Sequence, residues 1–189
     1  IYPLSFKETV LLKQNNDKLF LEKIKNLSVN NYDSISKDTM DLFYKEFNLY
    51  LIHGGYLKAI NDMEKNNYIM PSTLRTYANW IRGDILKRGK QEAYLREILS
   101  AIIKHYGSTI SWHSIMKEMS IDHHKTVSDY MEILASMEEI FIQYALLEHK
   151  LSYAPKKEKK LMFIDPFIYH AICDWLNPNE DPYKNKILK

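Results

Sequence analysis

A change of period near residue 139 constrains this chain more than any other feature of it. Upstream, apolar residues recur at helical spacing. Downstream, Ile140-Phe141-Ile142-Gln143-Tyr144-Ala145-Leu146-Leu147 is β-branched and aromatic, as a strand requires. Before the switch, residues 91–106 form a helical pattern through Leu95, Ile98, Leu99, Ile102 and Ile103, stopped by Gly107. Ser111 is a good N-cap for a short helix over 112–119. A three-residue turn, Ser120-Ile121-Asp122, leads to a helix over 123–138 that turns Val127, Tyr130, Leu134 and Met137 inward. After the switch come a polar hairpin containing Pro155 and a second short strand, Leu161 to Ile164. Asp165-Pro166 then opens a last helix, with Asp at the N-cap and Pro at the first helical position. Helix, short helix, turn, helix, strand, basic hairpin, strand is the order of a winged helix-turn-helix. The rival reading is an ordinary helical domain carrying a β-hairpin.

The first half is helical throughout. Short helices are predicted at 5–14 and 16–27, with a polar linker at 28–36. A stronger one spans 37–53, where Met40, Phe43, Tyr44, Phe47, Leu51 and Ile52 make a core-facing stripe and Gly54-Gly55 provides the C-cap. Helices over 57–65 and 71–88 follow. The second carries Leu74, Tyr77, Ala78, Ile81, Ile85 and Leu86 on one face, with Gly89 as its stop. The predicted fold is therefore mainly α. A helical bundle over 1–89 precedes a winged helix-turn-helix domain over 90–189, with a two-stranded wing and a C-terminal helix.

Composition removes several function classes. Five glycines in 189 residues argue against a glycine-rich phosphate loop. No apolar run reaches the eighteen or so residues of a membrane span. A net charge of +2 means that any nucleic-acid binding rests on local clustering. The single cysteine, Cys173, excludes an internal disulfide and a cysteine-based zinc site, and suits a reducing cytoplasm, where we expect the protein to reside. His123-His124 point different ways at a helix start with no ligand at metal spacing, so no metal is expected. Asp122 reads as a cap.

Four stretches carry a resemblance to a known family. PLSFKE at 3–8, YLIHGGYLKAI at 50–60, YANWIRGDILKRGK at 77–90, and the run from SWHSIMKEMSI through KTVSDYMEIL to KKLMFIDPFIYHA resemble the lid and winged-helix region of archaeal AAA-type P-loop ATPases. The likeness implies a fragment. There is no G-x-x-x-x-G-K-[ST], since Gly89-Lys90 is followed by Gln91, and no Walker B carboxylate closes an apolar strand. The ATPase core would precede Ile1, and ATP and magnesium would belong to that full-length parent, not to this chain. Such motors often form rings, so an oligomer is open to the parent. By the resemblance, Arg82 is the candidate nucleotide-sensing residue, with Arg75 and Arg88 as rivals. A helix-surface ion pair is the plainer role for any one of them.

The residues themselves give a separate candidate, a double-stranded DNA contact. Lys125 and Thr126 open the third helix of the motif. Lys150, Lys156, Lys157, Lys159 and Lys160 crowd the hairpin, where they suit a salt-sensitive, sequence-independent grip on phosphates. Asp129 and Glu132 on the same helix, and Glu138 and Glu139 after it, work against base reading. The expected role is a module that couples the parent's nucleotide state to DNA or to a partner, without ATPase activity of its own. The alternatives are a free-standing transcriptional regulator and a protein-interaction adaptor. No catalytic residue is identified.

Overall fold

The computed structural model describes residues 2–14, 36–147, 150, 152–154 and 157–184. The predicted helix over 16–27 and nearly all of the predicted linker lie outside the described residues. Within them the protein is mainly helical, with a small antiparallel sheet.

Helix α1 (Phe6–Lys13) starts at a capping box. The Ser5 hydroxyl accepts from the Glu8 N–H, and the Glu8 carboxylate accepts from the Ser5 N–H at 2.8 Å. Helix α2 (Lys37–His53) is capped by Ser36 and ends at Gly54, whose φ is +57°. Helices α3 (Leu57–Asn66) and α4 (Pro71–Lys87) follow, and α4 has its proline in the first turn. Asp62 fixes the corner between them: its carboxylate accepts from Lys58, the Met70 N–H and the Thr73 hydroxyl. Burial works to raise the pKa of Asp62, but these hydrogen bonds hold it below the ordinary value.

The stripe predicted for α2 is corrected. Tyr44 is 65% and Phe47 44% exposed, whereas Glu46 and His53 are buried. The burial follows charge pairing: Lys13 of α1 donates to Glu46 at 2.9 Å and lies 3.4 Å from the His53 Nε2. A buried charge needs such partners, and α1 supplies them on the face the apolar pattern would not have chosen.

Helix α5 (Glu92–Lys104) is followed by β1 (Thr109–Ile110), α6 (Trp112–Met116) and α7 (His124–Ser136). Next come β2 (Ile140–Tyr144), β3 (Leu146–Leu147), β4 (Ser152–Tyr153), β5 (Lys159–Phe163) and α8 (Pro166–Leu176). Strands β1, β5 and β2 form one antiparallel sheet in that order, with Ile110 opposite Lys159 and Ile140 opposite Phe163. Strands β3 and β4 extend the hairpin outward. Ser111 caps α6 and Asp165 caps α8, as their sequence signals require. The N-cap of α7 is His123, and not Asp122 as expected; no side chain caps that helix.

The core is one cluster on both sides of residue 89. Ala59, Leu74, Ile81 and Ile85 from the first half join Leu95, Ile102, Val127, Leu134, Leu161 and Phe167 from the second. Helix α8 returns to pack on α4 and α2. Its His170 bridges the Leu51 carbonyl at 2.9 Å and the Pro182 carbonyl at 3.0 Å.

Candidate nucleic-acid interface

The surface to consider is built by α7 and the hairpin. Glu97 of α5 sets the approach to α7: its carboxylate accepts from the Ser120 N–H at 2.6 Å and from the Ser120 hydroxyl at 2.5 Å. That fixes the turn between α6 and α7. The Tyr130 hydroxyl locks the other face of α7, accepting from the Gln91 N–H at 2.6 Å. On the outward side Lys125 is exposed, Thr126 is half-buried, and His123 and His124 are both exposed.

The charges expected to oppose phosphate are partly engaged within the protein. Asp129 lies 3.8 Å from the Lys90 ammonium, and Glu132 accepts from the Ser128 hydroxyl at 3.2 Å. Glu118, at the end of the short helix, pairs with Lys104 at 2.7 Å and His105 at 3.1 Å. The hydrogen bond from Lys104, then that from His105, holds the Glu118 carboxyl below its ordinary pKa.

The hairpin lysines separate into two kinds. Lys150, Lys157 and Lys160 are exposed. Lys159 is buried, with its ammonium 4.3 Å from the Trp112 ring centre and 5.7 Å from that of Tyr144. Burial pushes the Lys159 ammonium below the ordinary lysine pKa. The period of the strand separates Lys159 from Lys160, because neighbouring residues of β5 face opposite sides of the sheet. Lys156 lies outside the described residues. At the hairpin's outer end Leu146 and Tyr153 are 54% and 66% exposed, giving the tip an apolar edge between the lysines.

Arg82 sits apart from this surface, on α4. Its Nε donates to Glu92 at 2.6 Å, which ties α4 to the start of α5. A phosphate reaching Arg82 would share the guanidinium with that carboxylate or displace it. Among the described residues no group of three His, Cys, Asp or Glu side chains is placed to hold a metal ion, and no helix is long and apolar enough to cross a membrane. Cys173 is partly buried, and burial pushes its thiol pKa up to about 11, against the lowering effect of a hydrogen bond with Tyr169. An uncharged thiol of this kind is a poor nucleophile.

A family profile described as a domain of unknown function (DUF8612) matches residues 44–179, well over half of the 189-residue chain. No curated protein and no solved structure matches it.

Proposed function

The chain belongs to the DUF8612 family, and we propose that within it this chain works as a winged-helix module that grips duplex DNA through the hairpin. The observation that carries the reading is the sorting of the hairpin lysines. Lys150 and Lys157 beside β4 and Lys160 on β5 stand in solvent, while Lys159 serves the interior. The order α5, β1, α6, α7, β2, β5 and the sheet order β1-β5-β2 support the winged-helix assignment. Lys125 at the start of α7 adds a fourth exposed cation. Contacts of this type position a protein on the phosphate backbone and carry no base code.

The resemblance to AAA-type P-loop ATPases supplies the wider proposal. The helices up to α4 would serve as the lid of a parent motor, and ATP and magnesium would act in that parent's core. Arg82 would report nucleotide state by exchanging Glu92 for a phosphate. Cytoplasmic residence and assembly with further copies belong to the same proposal.

Binding of unrelated duplexes, measured by fluorescence anisotropy across a salt series, tests the DNA reading. Each phosphate contact contributes close to one unit of slope in log K against log salt. Replacing Lys125, Lys150, Lys157 and Lys160 together by alanine is expected to flatten that slope by about 3 to 4. An unchanged slope, or no binding by the wild-type chain at low salt, would sink the reading in favour of a protein-interaction adaptor. A strong preference for one duplex would favour a transcriptional regulator.

A further inference from the structure

At the far end of β2 from the hairpin tip lies a cavity of about 770 Å³, between α4 and the turn from α7 into β2. Tyr56, Tyr77 and Trp80 line it. The ring of Tyr77 stands 4.8 Å from those of both Tyr56 and Trp80. Asp84, Glu138 and Glu139 also line it, against a single lysine, Lys87, which already donates to Asp84 at 3.1 Å. The cavity therefore combines aromatic walls with excess negative charge, although the chain as a whole is slightly basic.

Glu139 shows the clearest deficit. Its Oε2 is buried and has no hydrogen-bond partner among the described residues. A buried carboxylate oxygen left in this way is costly unless a donor or cation completes it. The protein tolerates that cost at a position opening into the cavity. The size is in the range of ligand pockets rather than packing defects.

We propose that this cavity receives an arginine side chain carried by a basic polypeptide partner, with the guanidinium meeting the Glu139 carboxylate and stacking on the Tyr77 and Trp80 rings. The chemistry selects arginine. A guanidinium is planar, is weakly hydrated, forks onto carboxylates and stacks on aromatic faces. A lysine ammonium is compact and more strongly hydrated, so it gives up more water to enter. A neutral donor could bond the Glu139 oxygen but would leave the cavity's excess negative charge unbalanced. The site is independent of the DNA reading, because the exposed hairpin lysines lie at the other end of the sheet.

Ionisation of Glu139 gives the site a pH signature. Burial first, then the charges of Asp84 and Asp165, push the Glu139 carboxyl up to about 7. The other charged or titratable groups around the cavity are Glu138, Lys87, Tyr2, Tyr56 and Tyr77; burial raises Tyr56 and Tyr77. Arginine binding should therefore tighten as pH rises from 6 to 8.

The experiment uses the full chain and a capped peptide, acetyl-Gly-Arg-Gly-Arg-Gly-amide, followed by NMR at the Trp80 indole. The expected result is a saturable shift with affinity at least tenfold above that of the same peptide with citrulline, which keeps the shape and removes the charge. Glu139→Gln should lose about tenfold in arginine-peptide affinity and the pH dependence with it, while duplex binding stays at the wild-type level. Equal binding of the citrulline peptide, unchanged affinity in Glu139→Gln, or no saturable shift at millimolar peptide would each overturn the proposal. Circular dichroism and thermal unfolding of Glu139→Gln establish that any loss is not a folding failure.

Discussion

The carboxylate of Asp165 accepts the Gly55 N–H at 2.7 Å, across 110 residues of sequence. The same side chain caps α8 by accepting from the Phe167 N–H at 2.8 Å. One buried residue thus closes a helix and fastens it to the turn after α2. Removing it leaves a buried Gly55 donor and an uncapped helix. Asp165→Ala is expected to cost roughly 2–4 kcal/mol, the sum of a lost cap and an orphaned donor. Asp165→Asn keeps one oxygen for the cap but presents an amide nitrogen to a second donor, so it should fall between alanine and wild type. Urea unfolding midpoints decide this; an alanine variant within about 0.5 kcal/mol of wild type would contradict it.

The turn beside Asp165 has no room for a side chain. A Cβ on Gly55 would stand 1.8 Å from the Leu4 carbonyl oxygen, a backbone atom that cannot rotate away. Leu4 also donates to the Gly55 carbonyl at 2.8 Å, so residues 2–5 are held on this turn. Gly55→Ala is expected to displace that segment and cost roughly 3 kcal/mol or more, as overpacked backbone contacts do. Protection of the Leu4 amide from hydrogen exchange should fall with it. Retained protection in a fully stable Gly55→Ala protein would count against the close approach.

Glu139 gives a stability test of opposite sign. Its folded pKa is raised from 4.5 to about 7, so the native state holds its proton longer than the unfolded chain does. Stability from this group is complete below about pH 4.5 and is lost as pH rises through 7. A shift of this size corresponds to roughly 3 kcal/mol of destabilisation at pH 8. Glu139→Gln removes the charge and should therefore be more stable than wild type at pH 8 by up to that amount, and close to it at pH 5. His53 and His170, whose pKa values burial lowers, act the other way: their contribution falls as pH drops below the ordinary histidine range. The variant-minus-wild-type difference isolates Glu139 from them.

The neighbours Lys159 and Lys160 should behave oppositely. Lys159 fills space against Trp112 and Tyr144, while Lys160 stands in solvent. Lys159→Ala is expected to destabilise by roughly 1–3 kcal/mol through lost packing and cation–π contact. Lys159→Met, which keeps the volume, should recover most of it. Lys160→Ala should change stability by less than about 0.5 kcal/mol and weaken duplex binding instead. Thermal melts of the three variants check the packing claim, and a Lys159→Ala protein as stable as wild type would refute it.

How much of this was legible in the sequence depends on the physics at each point. Ser111 and Asp165-Pro166 announced their helix starts because capping is local chemistry. The switch at Ile140 was legible because strand and helix periods differ within a few residues. The Ser5–Glu8 capping box was also present as a pattern and marks the start of α1. The burial of Glu46 and His53 on α2 follows from Lys13, a charge brought from another helix, which no hydrophobic stripe records. Nothing in the sequence separates Lys159 from its neighbours, because a run of lysines hides the alternation of a strand. The bond from Gly55 to Asp165 and the cavity beside Glu139 had no local signal. Both join segments far apart in sequence: α8 packs on α2 and α4, and the turn from α7 into β2 faces α4 across the cavity.

Glu138, immediately before β2, carries the last expectation. Its φ is +60°, one of two positive values among the described non-glycine residues. It ends α7 as the left-handed residue of the cap: its N–H donates to the Ala135 carbonyl at 3.0 Å, and the Glu139 N–H donates to that of Leu134 at 3.0 Å. The conformation costs a residue with a Cβ about 1 kcal/mol that glycine does not pay. Glycine also loses more chain entropy on folding, which offsets part of the gain. Glu138→Gly is therefore expected to stabilise by roughly 0.5 kcal/mol, and Glu138→Asn to lie between the two. Glu138→Val, whose branched Cβ resists this region, should destabilise by more than 1 kcal/mol. Unfolding midpoints in the order Gly, Asn, Glu, Val would follow from a left-handed cap. A valine variant as stable as wild type would mean that the turn into β2 takes another path, and with it the position of Glu139 over the cavity.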